Sequence, residues 1–206
     1  MKHLYREGAG QDRPVLLLLH GTGGDEHSLL DLARTLDPGA AVLSVRGNVL
    51  ENGMPRFFRR IAEGVFDEAD LVFRTQELHN FLHDASLQYG FPRERVVAVG
   101  YSNGANIAGS LLFHHEDALK AAVLFHPMVP RRNVPLPRLD GLPVFIGAGK
   151  NDPLIPVRET EELQSLLEGA GAKTTVHWEP GGHQLSRAEV EAAAAWLRDL
   201  DAAPRE

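Results

Sequence analysis

The chain has 206 residues with a mass of 22.6 kDa, is 43% hydrophobic and 24% charged, and carries a formal net charge of −7 with no cysteine. That length buries a sizeable core with no linker, repeat or low-complexity tract to divide it, so one domain over residues 1–206 is expected, while the missing cysteine excludes disulfides, thiolate metal sites and a thiol nucleophile. The acidic balance, with basic residues only in short pairs such as Arg59-Arg60 and Arg131-Arg132 that read as solvated surface, argues against nucleic acid, and apolar runs of strand length fall far short of the roughly 20 residues of a membrane span.

Along the chain, residues 1–7 show no apolar leader, so a cytoplasmic protein is expected. Residues 3–6 read as a short antiparallel edge strand. The run at 15–19 reads as a buried strand and ends in His20-Gly21-Thr22-Gly23-Gly24-Asp25. A helix over 28–36 and a strand over 41–45 follow, the strand ending in Arg46-Gly47-Asn48. Next comes a long segment holding Met54, Phe57, Phe58, Ile61, Val65 and Phe66, then a helix over 67–89. The β-branched strand 96–99 leads through Gly100-Tyr101-Ser102-Asn103-Gly104 into a helix over 103–115, with His114 and His115 as solvated residues at its end. A strand at 121–125 exits into His126-Pro127-Met128, and one at 143–146 into Lys150-Asn151-Asp152. After a helix over 157–169 and a strand over 174–177, Gly181-Gly182-His183 precedes a helix over 188–200. That last helix has a capping box in Ser186 and Glu189 and a core stripe of Val190, Ala193, Ala194 and Leu197. The alternation predicts an α/β fold: a doubly wound, mainly parallel sheet flanked by helices, without a lid domain.

Open sheets of this kind hold ligands at the carboxyl ends of their strands, and the polar candidates above stand at those exits. Gly-Tyr-Ser-Asn-Gly between a strand and a helix reads as a nucleophile elbow, with glycine where a Cβ would clash across the bend. Ser102 is therefore the expected nucleophile. A serine hydroxyl needs a base and a carboxylate to orient that base. His183, in the loop before the last helix, is placed to reach across the strand ends, whereas His177 lies within a strand. Asp152 follows the strand at 143–146, and its competitor Asp140 precedes it at the wrong end of the sheet. The expected oxyanion donors are the amide of Asn103, at a helix N-terminus, and that of Thr22, with Gly23 as fallback. The glycine loop lacks both the P-loop ending and the G-x-G-x-x-G spacing, which excludes a nucleotide cradle.

These motifs, with Asn151-Asp152-Pro153-Leu154-Ile155-Pro156 and the segment Arg46 to Arg60, give the whole chain a resemblance to the α/β-hydrolase superfamily, and within it to the small bacterial phospholipase/carboxylesterase group, relatives of acyl-protein thioesterases. The resemblance implies a serine carboxylic-ester hydrolase with no metal or organic cofactor. Asn103 stands where the thioesterases commonly carry glutamine. The chain is similar in size to dienelactone hydrolases, which use cysteine where Ser102 stands.

The expected activity is hydrolysis of short- to medium-chain esters, with acyl-thioesters or lysophospholipids as alternatives on the same triad. Met54, Phe57, Phe58, Phe66 and His126 are the candidate substrate contacts, with Arg56 or Arg59 at the mouth of an open, shallow site; the alternative for the aromatic residues is a role in the core. Asp25, His20 and His126 are candidates to support the triad. A small-molecule receptor on the same fold is the rival class, and a metal site of His20, His126 and His183 has no H-E-x-x-H pattern behind it. The expected partner is a small-molecule ester, and the expected state a monomer or homodimer.

Overall fold

A computed structural model describes residues 1–202. The elements are, in chain order, β1 (His3–Arg6), β2 (Val15–Leu19), α1 (Leu30–Leu36), β3 (Ala41–Val45), β4 (Val49–Glu51), β5 (Met54–Arg56), β6 (Arg60–Ala62), β7 (Val65–Phe66), α2 (Glu68–Tyr89), β8 (Val96–Tyr101), α3 (Asn103–His114), β9 (Ala121–Phe125), β10 (Pro143–Gly149), α4 (Val157–Gly169), β11 (Lys173–Glu179) and α5 (Arg187–Ala202). A seven-stranded sheet runs in the order β1-β3-β2-β8-β9-β10-β11. β1 is antiparallel to β3 and the other neighbours are parallel.

Strand residues alternate between two buried layers, as the period of two demands. Val15, Leu17 and Leu19 of β2 pack with residues of α2, α3 and α4. Leu16 and Leu18 pack with α1 and α5 on the opposite face. With helices on both faces, β2 and β9 are buried at every position, and their sequences are accordingly continuous apolar runs. The capping box closes reciprocally: Glu189 N donates to Ser186 Oγ at 3.1 Å, and Ser186 N to Glu189 Oε1 at 3.2 Å.

Two features differ from the sequence reading. The segment after β3 forms two hairpins, β4-β5 and β6-β7. The first closes on Asn52 and Gly53 at φ 51° and 78°, both left-handed, as a two-residue turn matched to strand twist requires. His115 is half-buried, with its ring stacked on His79 at 3.8 Å. Burial first, and the His79 ring second, bring its pKa down to about 4. No described helix is long and apolar enough to cross a membrane.

Candidate active site

β8, central in the sheet, delivers Ser102 at its carboxyl end. The bend needs its two glycines: a Cβ on Gly100 would meet Gly104 O at 2.5 Å, and one on Gly104 would meet Leu19 O at 1.9 Å. Ser102 itself takes φ 52° and ψ −112°, a conformation costing a non-glycine residue on the order of 1–3 kcal/mol. Its amide donates to Phe125 O at 2.9 Å, so strand pairing continues up to the strained residue and holds it.

Ser102 Oγ lies 2.8 Å from His183 Nε2, and His183 Nδ1 lies 2.7 Å from Asp152 Oδ2. An ionised carboxylate can only accept, so the ring proton sits on Nδ1 and the Nε2 lone pair faces the serine hydroxyl. The Asp152 carboxyl is fully buried, and its Oδ1 accepts the amides of Leu154 at 2.8 Å and Ile155 at 3.1 Å. Burial alone would raise its pKa; the His183 hydrogen bond and those amides outweigh it and hold the carboxyl below its ordinary range.

The loops carrying Asp152 and His183 are laced together. Lys150 N donates to Glu179 O at 2.8 Å, Asn151 N to Gly181 O at 3.0 Å, and Asn151 Nδ2 to Pro180 O at 2.6 Å. A Cβ on Gly149 would lie 2.3 Å from Gly182 O, so the glycine lets the two backbones meet. Tyr101 Oη donates to His183 O at 2.9 Å and anchors the base from β8.

A cavity of about 60 Å³ opens beside this group, lined by Thr22, Ser102, Asn103 and His183 and, opposite, by Arg56, Arg60, Glu63, Phe66, Met128, Leu154 and Ile155. The Asn103 amide opens α3 and has no intrahelical acceptor, so it points partial positive charge at this space. Gly23 departs from expectation: its amide donates to Pro55 O at 2.9 Å and is not left over as a fallback donor.

Of the candidate substrate contacts, Phe66 lines the cavity. Phe57 and Phe58 belong to the core at 2% and 0% exposure, Phe57 tilted against His20 and Phe58 edge-on to Phe66. Arg56 before them is buried as well, and Arg59 after them is exposed. Met54 lies against Gly23 rather than in the cavity wall. His126 is 1% exposed and packs behind Asp152, away from substrate, because its ring is taken up by two carboxylates. Arg59 pairs with Asp67 at 3.3 Å, whereas Arg60 lines the cavity and pairs with Glu51 at 2.9 Å. Met128, Leu154 and Ile155 stand in segments singled out from the sequence but were not named as substrate contacts, although each lies two or three residues beyond a recognised strand-exit residue, His126 or Asp152. Reading each exit one turn further finds them.

His20 bridges two loops instead of touching the serine. Its Nδ1 donates to Gly21 O at 2.7 Å and its Nε2 accepts the Gly47 amide at 3.1 Å. Burial lowers its pKa and keeps the ring neutral for that role. Asp25 caps its own turn through the His27 amide at 2.9 Å. Among the described residues, His126, Asp152 and His183 bring metal-ligating atoms within 4.8 Å of one another. Those atoms are already paired with each other, and a cation would have to break the acid–base contact to enter.

The chain matches the dienelactone hydrolase family over residues 60–199. It is 59% identical over 199 residues to MhqD of Bacillus subtilis (strain 168), whose name assigns it to the hydrolases, covering 97% of this chain and 98% of that one. It is similar to the carboxylesterase of Bacillus cereus with a TM-score of 0.96 and 62% identity, over 97% of this chain and 94% of that structure. Acyl-protein thioesterase 1 of Cryptococcus neoformans var. neoformans is 23% identical over 234 residues, covering 97% of each chain.

Proposed function

We propose that this chain, which belongs to the dienelactone hydrolase family, is a carboxylesterase that works through Ser102, His183 and Asp152. It is an esterase-type hydrolase, as its 62% identity to a carboxylesterase supports. With no cysteine in the sequence, its nucleophile differs from the thiol expected of dienelactone hydrolases. The observation that carries the reading is the continuous hydrogen-bonded line from Ser102 Oγ through His183 to Asp152, starting at a residue held in strained backbone.

In this reading Ser102 Oγ attacks the ester carbonyl carbon while its proton passes to His183 Nε2. Asp152 accepts from His183 Nδ1 throughout and stabilises the imidazolium. The amides of Thr22 and Asn103 hold the oxyanion, a pair in which each donor contributes roughly 3 kcal/mol in comparable sites. His183 returns the proton to the leaving alkoxide, and a water deprotonated by the same nitrogen then cleaves the acyl-enzyme. Phe66, Met128, Leu154 and Ile155 give one wall of the small cavity an apolar surface suited to a short acyl group.

The test is turnover of p-nitrophenyl esters of increasing acyl length and of acyl-thioesters, with and without chelator, beside Ser102→Ala. The expected result is a preference for short esters, indifference to chelator, and a loss of at least about 1,000-fold in the variant. Unchanged turnover in Ser102→Ala overturns the serine mechanism.

A further inference from the structure

Asp152 serves two imidazoles. Its Oδ2 lies 2.7 Å from His183 Nδ1 and 3.2 Å from His126 Nδ1, and the other nitrogen of His126 lies 3.1 Å from Glu189 Oε1. The side chains of Asp152, His126 and Glu189 are at most 1% exposed. One hydrogen-bonded line therefore runs from Ser102 through His183, Asp152 and His126 to the first turn of α5. Both ends of its inner half are fixed by backbone. His126 follows β9 at φ 53°, with its amide donating to Gly147 O at 2.8 Å, and Glu189 is held by its capping box with Ser186.

The acceptors on this line fix its protons. Asp152 Oδ2 already accepts from His183, and an ionised carboxylate has nothing to donate, so His126 Nδ1 carries a proton. Glu189 Oε1 also accepts the Ser186 amide at 3.2 Å, and as a carboxylate it can only accept from Nε2 as well. An imidazole that donates from both nitrogens is an imidazolium. We propose that His126 is a standing imidazolium clamped between Asp152 and Glu189, a positioning residue that fixes the triad acid. This rests on the triad reading and adds a second histidine that never meets substrate.

The consequence is electrostatic. The His126 and His183 rings are 5.3 Å apart, so the charge on the first lies within close electrostatic reach of the second. Two carboxylates and one imidazolium leave one net negative charge, which balances the imidazolium that forms on His183 during reaction. Burial opposes charge on His126, but Glu189 and then Asp152 outweigh it and raise its pKa. Tyr101 from β8 packs on both rings, at 6.1 Å from His126 and 5.7 Å from His183, and burial keeps its phenol neutral. Across the cavity His183 also faces Arg56, Arg60 and Glu63, which Glu189 substitution leaves in place.

Two measurements test this. Ring-nitrogen NMR of the wild-type protein labelled with ¹⁵N-histidine, assigned by the signals lost in His126→Gln, is expected to show both His126 nitrogens protonated near neutral pH. The pH profile of kcat/KM is then compared for wild type and Glu189→Gln, which keeps size and the acceptor for Ser186. Without the carboxylate the His126 ring becomes neutral, its charge no longer acts on the site 5.3 Å away, and the acid limb moves up by about half a pH unit to one unit. His126→Gln moves the limb in the same direction. A bare nitrogen on wild-type His126 overturns the proposal, and so does an unmoved limb with reduced kcat, the signature of a merely structural bridge. The spectrum needs no variant beyond assignment and no turnover, so a failure of the serine mechanism in Ser102→Ala is read separately.

Discussion

Asn103 Oδ1 accepts the amide of Phe57 at 2.7 Å, tying the residue after Ser102 to the segment between the two hairpins. Both groups are buried, so the bond has no water to replace it. Asn103→Ala leaves the Phe57 amide without its acceptor, at a cost of about 1–3 kcal/mol. The expected result is a lower urea midpoint at unchanged m-value together with reduced kcat/KM. An unchanged midpoint would show that the clamp does not bear on stability.

From Phe57 the same scaffold reaches the expected oxyanion loop. Arg56 is 3% exposed; its Nε donates to Phe58 O at 3.1 Å and its Nη1 to Thr22 Oγ1 at 2.6 Å. A lysine has no planar fork with which to span both acceptors. Arg56→Lys is therefore expected to loosen Thr22 and lower kcat/KM by about ten- to a hundredfold. Steady-state kinetics on the preferred ester decide it, and wild-type kcat/KM in the variant would detach Arg56 from the oxyanion loop.

Two glycines offer losses of different size for one chemical change. Gly104→Ala drives a Cβ to 1.9 Å from a backbone carbonyl that no side-chain rotation can relieve, so a loss of more than about 4 kcal/mol is expected. Gly53, at φ 78° with nothing within 4 Å, pays only the left-handed strain of about 1–2 kcal/mol on becoming alanine. Thermal unfolding of the two variants separates them; equal losses would mean that the elbow relaxes where the structure shows no room.

The sheet was legible because burial on both faces leaves continuous apolar runs, and β2, β3 and β9 have the predicted bounds 15–19, 41–45 and 121–125. β8, β10 and β11 run two or three residues longer than their apolar stretches, since strand pairing persists through Gly100, Tyr101 and Gly149 after hydrophobicity fades. The hairpins were missed because their strands are only two or three residues long, too short for a period of two to show. Asn52-Gly53 was nonetheless a usable signal for the first of them. Ser102, His183 and Asp152 could be named from their strand exits, which fix position along the chain. Glu189 could not be assigned to His126, 63 positions away, because nothing local in a capping glutamate distinguishes one that also faces the sheet.

Acid stability tests two groups whose windows follow in sequence. His115 has a folded pKa of about 4 against an ordinary 6.5, so between those values the unfolded chain binds a proton that the folded one refuses, and stability falls as pH falls. Glu26 is 2% exposed, with Arg46 Nε at 2.5 Å and Lys2 Nζ at 3.1 Å. Burial would raise its carboxyl, but hydrogen bonds from the backbone, Arg46 and Lys2 bring it to about 2 from an ordinary 4.5. Its contribution is thus present above 4.5 and is lost as pH falls toward 2. Urea midpoints measured across this range are expected to decline from near pH 6.5 downward. His115→Asn should flatten the upper stretch, and Glu26→Gln the lower one. If His115→Asn keeps the wild-type slope between pH 6.5 and 4, the stacked histidine pair is not what makes the fold acid-sensitive there.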